Sequence, residues 1–460
     1  VTGNPRKITL QQWDERFGQM RCNLPSCPDY VGPLSRHVQD GDLRLLRLKF
    51  DNSFASFRLW NFLLTEEDRL HQARLDGKKI IGTMKDLGTI PVIAYSLDNI
   101  VAFYPDGAWW IPCVMELNAG LLAIADSLGI DESFCPVRAM LGAFVTQEHF
   151  PIPDLLICSA GATCDDFSVI AQRLNDMGQP IFWWEIPHRR TPRQDEQAVV
   201  LPGGFSAPKD QVEFVKSELE RIKSAIEDLS GRKLDDTTLS NGIKKANTVR
   251  ALLSELRRLT FTARLSPLPA LEMLIAEMLA IHFCSDRGES IEVLSRLVEQ
   301  VQIRIKAGYG FGDKDDARIF WVNPPADLLV MNLLEDCSGR LCGTDFLFSH
   351  ALDIIPAELP PMEALAQVAL ADPMAGSAAD RADRICRDAV KFGAEAVLVS
   401  RIPGASHCAL EGLVISEIVG SNLKIPVVEI EVPPLTDSIL PTLRTRITAL
   451  VETVKQRRRK

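Results

Sequence analysis

The chain contains no apolar run approaching the roughly 20 residues that a membrane-spanning helix needs. Its best candidate, Pro269 to Cys284, carries Glu272 and Glu277 and reads as a buried helix. The first residues, Val1-Thr-Gly-Asn-Pro-Arg-Lys7, have no apolar core of the kind a secretory signal carries, so a cytoplasmic protein is expected. Basic residues are not in excess: 51 Lys and Arg against 61 Asp and Glu leave a formal charge of −10, which argues against a nucleic-acid surface as the main role. The one dense basic run, Lys455-Gln-Arg-Arg-Arg-Lys460, reads as the solvated end of a last helix, where cations are favoured. Neither a phosphate-binding GxxxxGK[ST] loop nor a GxGxxG after a strand occurs, so nucleotide hydrolysis is not assigned to this chain.

What is present is a unit that occurs twice. Asp154-Leu-Leu-Ile-Cys-Ser-Ala-Gly-Ala-Thr-Cys164 and Glu395-Ala-Val-Leu-Val-Ser-Arg-Ile-Pro-Gly-Ala-Ser-His-Cys408 are each an apolar run, a loop of small residues and a cysteine. Each is followed by a helical pattern and a second apolar run, Gln179 to Pro187 in one copy and Ile425 to Pro433 in the other. Both copies read strand, loop, Cys, helix, strand. In an open parallel sheet the ligand crevice lies beyond the carboxyl ends of the strands, where helix N-termini favour negative charge and a thiolate.

At 460 residues the chain has the length of two to four domains. Residues 1–75 form an N-terminal extension in which Cys22 and Cys27 have no second pair nearby, so zinc is not favoured there. Residues 76–206 alternate strands and helices, with Lys78 to Gly82, Pro91 to Tyr95 and Trp109 to Val114 as short apolar runs ahead of the first Cys unit. Residues 207–312 repeat apolar positions at helical spacing, and residues 313–460 return to the α/β alternation around the second Cys unit. The expected fold is therefore α/β, two parallel-sheet lobes joined by a helical region. Its last helix is expected from Asp437 to about Val454.

Eleven cysteines, an odd number, do not suggest a disulfide framework in a large cytosolic protein. Cys135, Cys164 and Cys408 share a setting at strand or helix ends. Pro136 suits a first helical position, which makes Cys135 an N-cap residue. Three thiolates satisfy three irons of a [4Fe–4S] cube and leave the fourth iron for a substrate oxygen. Satisfied core thiols and a tetrahedral zinc site using His407 are the other readings of the same residues. Cys113, Cys158, Cys284 and Cys386 fall inside apolar or helical patterns and are expected in the core. Trp109, Trp110, Trp183 and Trp184 either pack in the core or wall a cleft near the strand ends.

From about Gly77 to Arg457 the chain resembles the family of 2-hydroxyacyl-CoA dehydratase catalytic subunits and ATP-dependent benzoyl-CoA reductase subunits. The segments that carry the resemblance are Gly77-Lys-Lys-Ile-Ile-Gly-Thr83, Cys135-Pro136 ahead of Leu141-Gly142, the Pro153-Asp-Leu-Leu-Ile157 run leading to Cys164, and Pro426-Val-Val-Glu-Ile-Glu-Val432 followed by Leu443-Arg-Thr-Arg446. The resemblance implies an iron–sulfur cluster in the cleft, held by Cys135, Cys164 and Cys408, a related partner subunit, and a separate ATP-hydrolysing iron–sulfur activator. It implies one-electron chemistry on a CoA thioester. Dehydration of a 2-hydroxyacyl-CoA is the branch that Glu429-Ile-Glu431 and Leu443-Arg-Thr-Arg446 match more closely, and aromatic acyl-CoA reduction is the alternative. Where dehydratases of the family show a Pro-Glu-Glu turn, this chain has Tyr95-Ser-Leu-Asp-Asn99, so a substrate-contacting acid does not carry over onto Asp98. Cys337 and Cys342 are either buried thiols or ligands of a larger double-cubane cluster. A two-lobed small-ligand binding protein without catalysis is the reading of another class.

Overall fold

The computed structural model describes residues 5–21, 43–84, 86, 88–107, 118–147, 149–406 and 410–460. Its frame is a pair of four-stranded parallel sheets. The first consists of β1 (Lys79–Met84), β2 (Ile100–Phe103), β3 (Leu155–Gly161) and β4 (Ile181–Ile186), in the order β2-β1-β3-β4. The second consists of β5 (Ala317–Val322), β6 (Gly339–Asp345), β7 (Ala396–Arg401) and β8 (Val427–Glu431), in the order β6-β5-β7-β8. The two orders are the same when each sheet is counted from its own first strand. In both, the winding reverses between the first and third strands, the place where such sheets open a crevice.

The strands are apolar for a physical reason. Crossover helices cover both faces of a parallel sheet, so alternate residues gain nothing by being polar. Ile80, Ile81, Leu156, Ile157, Ile319, Phe320, Val397 and Leu398 are all essentially inaccessible. Trp184 is buried in β4 and Trp183, on the opposite face of that strand, packs half-buried against a second apolar cluster, so both tryptophans are structural. Trp109, Trp110 and Cys113 lie outside the described residues.

One apolar run has a different form from its neighbours. Pro91 to Tyr95 lies in a helix, Ile90–Tyr95, and the strand beside β1 is Ile100–Phe103. Pro91 stands in the first turn, where its missing N–H costs nothing. The carboxylate of Asp86 accepts the amides of Thr89 and Ile90, both at 3.1 Å, which closes that helix start.

Three long helices and one short one fill the sequence between the sheets. Lys209–Ser230 buries Val212, Val215, Leu219, Ile222 and Ile226 along one face and stops at Gly231, whose φ of 68° suits glycine. Asp236–Thr262 is capped by Asp235, which accepts the Thr238 amide at 2.7 Å, an interaction worth about 1 kcal/mol. Ala270–Met278 and Arg287–Ala307 complete the group. Helix Phe54–Leu64 packs on these last two, and buried Asp51 pairs with Arg304 at 2.7 Å. The final helix is Leu440–Arg458, three residues later in its start than the sequence suggests. Among the described residues no helix is long and apolar enough to cross a membrane.

Candidate active site

The carboxyl ends of the two sheets meet at three places. After β1, the Gly88 backbone approaches Ala351, which follows β6; a Cβ at Gly88 would lie 3.2 Å from that of Ala351. Arg250, from Asp236–Thr262, is clamped there, donating to the carbonyls of Gly88 at 3.1 Å and Asp353 at 2.5 Å. Burial lowers its pKa to about 10. After β4, Arg189 enters the second lobe and donates to the Leu370 carbonyl at 2.7 Å and to Asp380 at 3.1 Å.

The third meeting place is the chemically distinctive one. Cys164 is the N-cap residue of helix Asp165–Asp176, directly after β3, and Cys135 is the N-cap residue of the 3₁₀ turn Pro136–Arg138. Both cysteines are half-buried. They converge on the second residue of the Asp165–Asp176 helix. Asp166 Oδ1 accepts the Cys135 amide at 3.2 Å, and Cys164 Sγ lies 3.4 Å from Asp166 Oδ2. The same Oδ2 accepts the amide and the hydroxyl of Ser406, each at 2.9 Å, and Ser406 Oγ is 3.9 Å from Cys164 Sγ. Ser406 belongs to the loop after β7, two positions ahead of Cys408 in the sequence. Close packing supports this junction: Gly404, at φ +76°, has so little room that a Cβ would stand 2.5 Å from the Phe134 carbonyl oxygen.

Two of the three expected ligands are thus brought to one carboxylate, with the loop that leads to the third. Cys408 itself, with His407, lies outside the described residues, as do Cys22 and Cys27. Among the described residues no group of three or more His, Cys, Asp or Glu is set to hold a metal ion. The donor chemistry at the junction still fits an iron–sulfur centre: two half-buried thiols stand at the starts of a helix and a 3₁₀ turn that meet at one carboxylate. The remaining described cysteines do not compete. Burial pushes the thiols of Cys284 and Cys342 up to about 12, Cys158 is fully buried within β3, and Cys386 is raised by burial as well. Cys337 precedes β6 and Cys342 lies midway along it, so neither stands at the carboxyl end of the sheet where Cys164 and Ser406 meet. Asp98 is a surface residue, 83% exposed and paired with Arg232.

Beside Cys135 a cleft of about 630 Å³ opens between the lobes. Leu122, Pro136 and Arg138 line it from the first lobe, and Pro403, Pro434 and Leu435 from the loops after β7 and β8. This volume falls in the range of small-molecule sites. Sequence reasoning missed Asp166 and Ser406. Their only local signal is an acid in the first turn of a helix and a serine in a small-residue loop, both common in any protein.

The model of the family described as 2-hydroxyglutaryl-CoA dehydratase, D-component, matches residues 93–454. The chain belongs to this family, which places it among enzymes of the dehydratase type, acting on CoA thioesters. No curated protein matches it.

Proposed function

We propose that the chain is an iron–sulfur catalytic subunit that carries out one-electron chemistry on a CoA thioester, dehydration of a 2-hydroxyacyl-CoA being the reaction. Cys135, Cys164 and Cys408 would hold one [4Fe–4S] cluster between the lobes, a separate ATP-hydrolysing activator would prime it, and a related subunit would stand beside it. The observation that carries this reading is the convergence of Cys135, Cys164 and the Ser406 loop on Asp166. Such a cluster, when bound, supplies a low-potential electron to the thioester.

The chain's own residues supply the rest. Pro136, Pro403 and Pro434 give the cleft rigid apolar walls, and Asp131, Glu132 and Ser133 line it beside Arg138. Arg138, whose Nε lies 3.3 Å from Asp126 and whose Nη1 donates to the Phe134 carbonyl at 3.2 Å, presents the cleft with a fixed cation. The loop preceding Cys135 is held from two sides, by Arg138 and by Asp166, so the cysteine's orientation is set before any ligand arrives.

The reading is tested by iron and acid-labile sulfide per chain in anaerobic protein. Serine at Cys135, Cys164 or Cys408, one at a time, should lower iron content sharply, and Cys158→Ser should not. A colourless, iron-free protein that binds a small ligand without turnover would replace the catalytic reading with a binding one. Stoichiometry then decides the reaction: a dehydratase needs ATP and reductant only for priming, whereas a reductase consumes both in every turnover.

A further inference from the structure

Asp166 is 3% exposed, and its two oxygens serve two segments distant in sequence as well as neighbouring Cys164. Oδ1 takes the amide of Cys135; Oδ2 takes the amide and hydroxyl of Ser406 and faces Cys164 Sγ. Two of these donors are backbone N–H groups, which do not leave when side chains change and are costly to bury without a partner. Nothing but a carboxylate has acceptors on both prongs at this position. An asparagine keeps one acceptor and turns a donor toward the other segment, so it must release either the Cys135 amide or the Ser406 amide.

We propose that Asp166 is the positioning residue of the site: it latches the loop after β7 onto the starts of the two cysteine-capped helices, and the thiols converge only while both of its oxygens are engaged. This rests on the iron–sulfur reading above for what is positioned, but the latch itself is made of backbone and carboxylate and is complete without metal. Gly404 shows how tightly the latch is closed, since the loop it holds has backbone approaching the Phe134 and Glu132 carbonyls closely enough to exclude a Cβ. A second consequence is electrostatic. A carboxylate beside a ligand sulfur makes reduction of the centre harder, because the potential of such centres follows net charge and hydrogen bonding at sulfur.

The test uses the full chain, anaerobically reconstituted, as wild type, Asp166→Asn and Ser406→Ala. In the metal-free protein, hydrogen exchange at the Ser406 amide reads the latch directly. Asp166→Asn should speed it on the order of tenfold, the equivalent of one charge-assisted hydrogen bond, while Ser406→Ala, which keeps its amide, should change it less. In the reconstituted protein Asp166→Asn should hold less iron, and the centre that remains should have a more positive midpoint potential in an EPR-monitored titration, a shift that a purely structural role would not give. Wild-type exchange, iron and potential in Asp166→Asn would overturn the proposal. If wild type itself holds no iron, the cluster reading fails, and the exchange result alone upholds or removes the latch.

Discussion

The junction between the lobes can be probed through one glycine with a matched control. Gly404 and Gly129 both have positive φ, +76° and +85°, but a Cβ at Gly129 meets nothing within 4 Å while one at Gly404 would lie 2.5 Å from Phe134 O, 2.7 Å from its carbonyl carbon and 2.9 Å from Glu132 O. Alanine at either site pays the left-handed conformation, about 1 kcal/mol. At Gly404 it must also move backbone. Those atoms are not the flexible end of a side chain, so relief requires the loop after β7 to retreat, adding about 1–3 kcal/mol of overpacking. The retreat stretches the Ser406 bonds to Asp166, hydrogen bonds to a charged group of about 1.5–3 kcal/mol each, of which only part is lost. Gly129→Ala should therefore cost about 1 kcal/mol, and Gly404→Ala roughly 2–4 kcal/mol by the sum of conformational and packing costs. Urea midpoints of the two variants, with unchanged slope, measure the difference, and iron content after reconstitution should fall only in Gly404→Ala. Equal midpoints, within the roughly 0.5 kcal/mol scatter of independent sites, would refute the account of the junction as a tight backbone contact.

Further outcomes follow from buried charge and from the burial of thiols. Glu272 is pushed up to about 8, by burial first and by Asp51 beside it, and a carboxyl with a raised folded pKa loses stability for the fold as pH climbs from its ordinary value to the raised one; Glu272→Gln should therefore gain on wild type between about pH 5 and 8, and a pH-independent difference in urea midpoints would contradict this. Arg381 is fully buried and donates to Asn323 Oδ1 at 2.7 Å, Asp345 Oδ2 at 2.8 Å and Glu411 Oε2 at 2.9 Å, so Arg381→Met should cost about 3–5 kcal/mol. Burial opposes the charge on Asp345, but Arg381 and His350 outweigh it and hold the carboxyl well below its usual range; its contribution is present at neutral pH and lost as pH falls through the lowered value, so the deficit of Arg381→Met should shrink below about pH 4. Iodoacetamide at pH 8 on the native metal-free protein should modify Cys135 and Cys164 and spare Cys158, Cys284 and Cys342, as read by peptide mass; labelling of Cys284 or Cys342 ahead of Cys164 would break the separation into site and core thiols.

Most strands were legible because parallel sheets bury both faces and leave unbroken apolar runs such as Leu155-Leu-Ile-Cys158 and Ala396-Val-Leu-Val399, whereas the four-residue β2, Ile100–Phe103, was not read as one. The duplicated order was legible for the same reason, through the repeated strand, loop and cysteine. The N-cap position of Cys135 followed from Pro136. Pro91 to Tyr95 was not, since five apolar residues fit a strand and a helix equally well, and what decides is Asp86, whose side chain closes the helix start from within an apparently featureless loop. Asp166 was out of reach for a different reason. Its bonds span 31 residues to Cys135 and 240 to Ser406, and no local pattern encodes a partner at such a distance.

Beyond the carboxyl end of each sheet, buried polar groups tie neighbouring strand ends together. In the first, Asp86 ties Tyr104 to the start of the Ile90–Tyr95 helix, with Arg250 lying against Gly88. In the second, Arg381 joins the ends of β5 and β6 to Glu411, and His350 sits 3.1 Å from Asp345 and 3.4 Å from Asp372. Dismantling either network to admit a ligand would strand a buried charge, which costs several kcal/mol. The third strand of each sheet runs into small residues, Ala160-Gly-Ala162 at the end of β3 and Pro403-Gly-Ala405 after β7, that let the Ser406 amide reach the Asp166 carboxylate. Among the described residues, the space beside that contact is the cleft bounded by Pro136 and Pro403, next to Cys135.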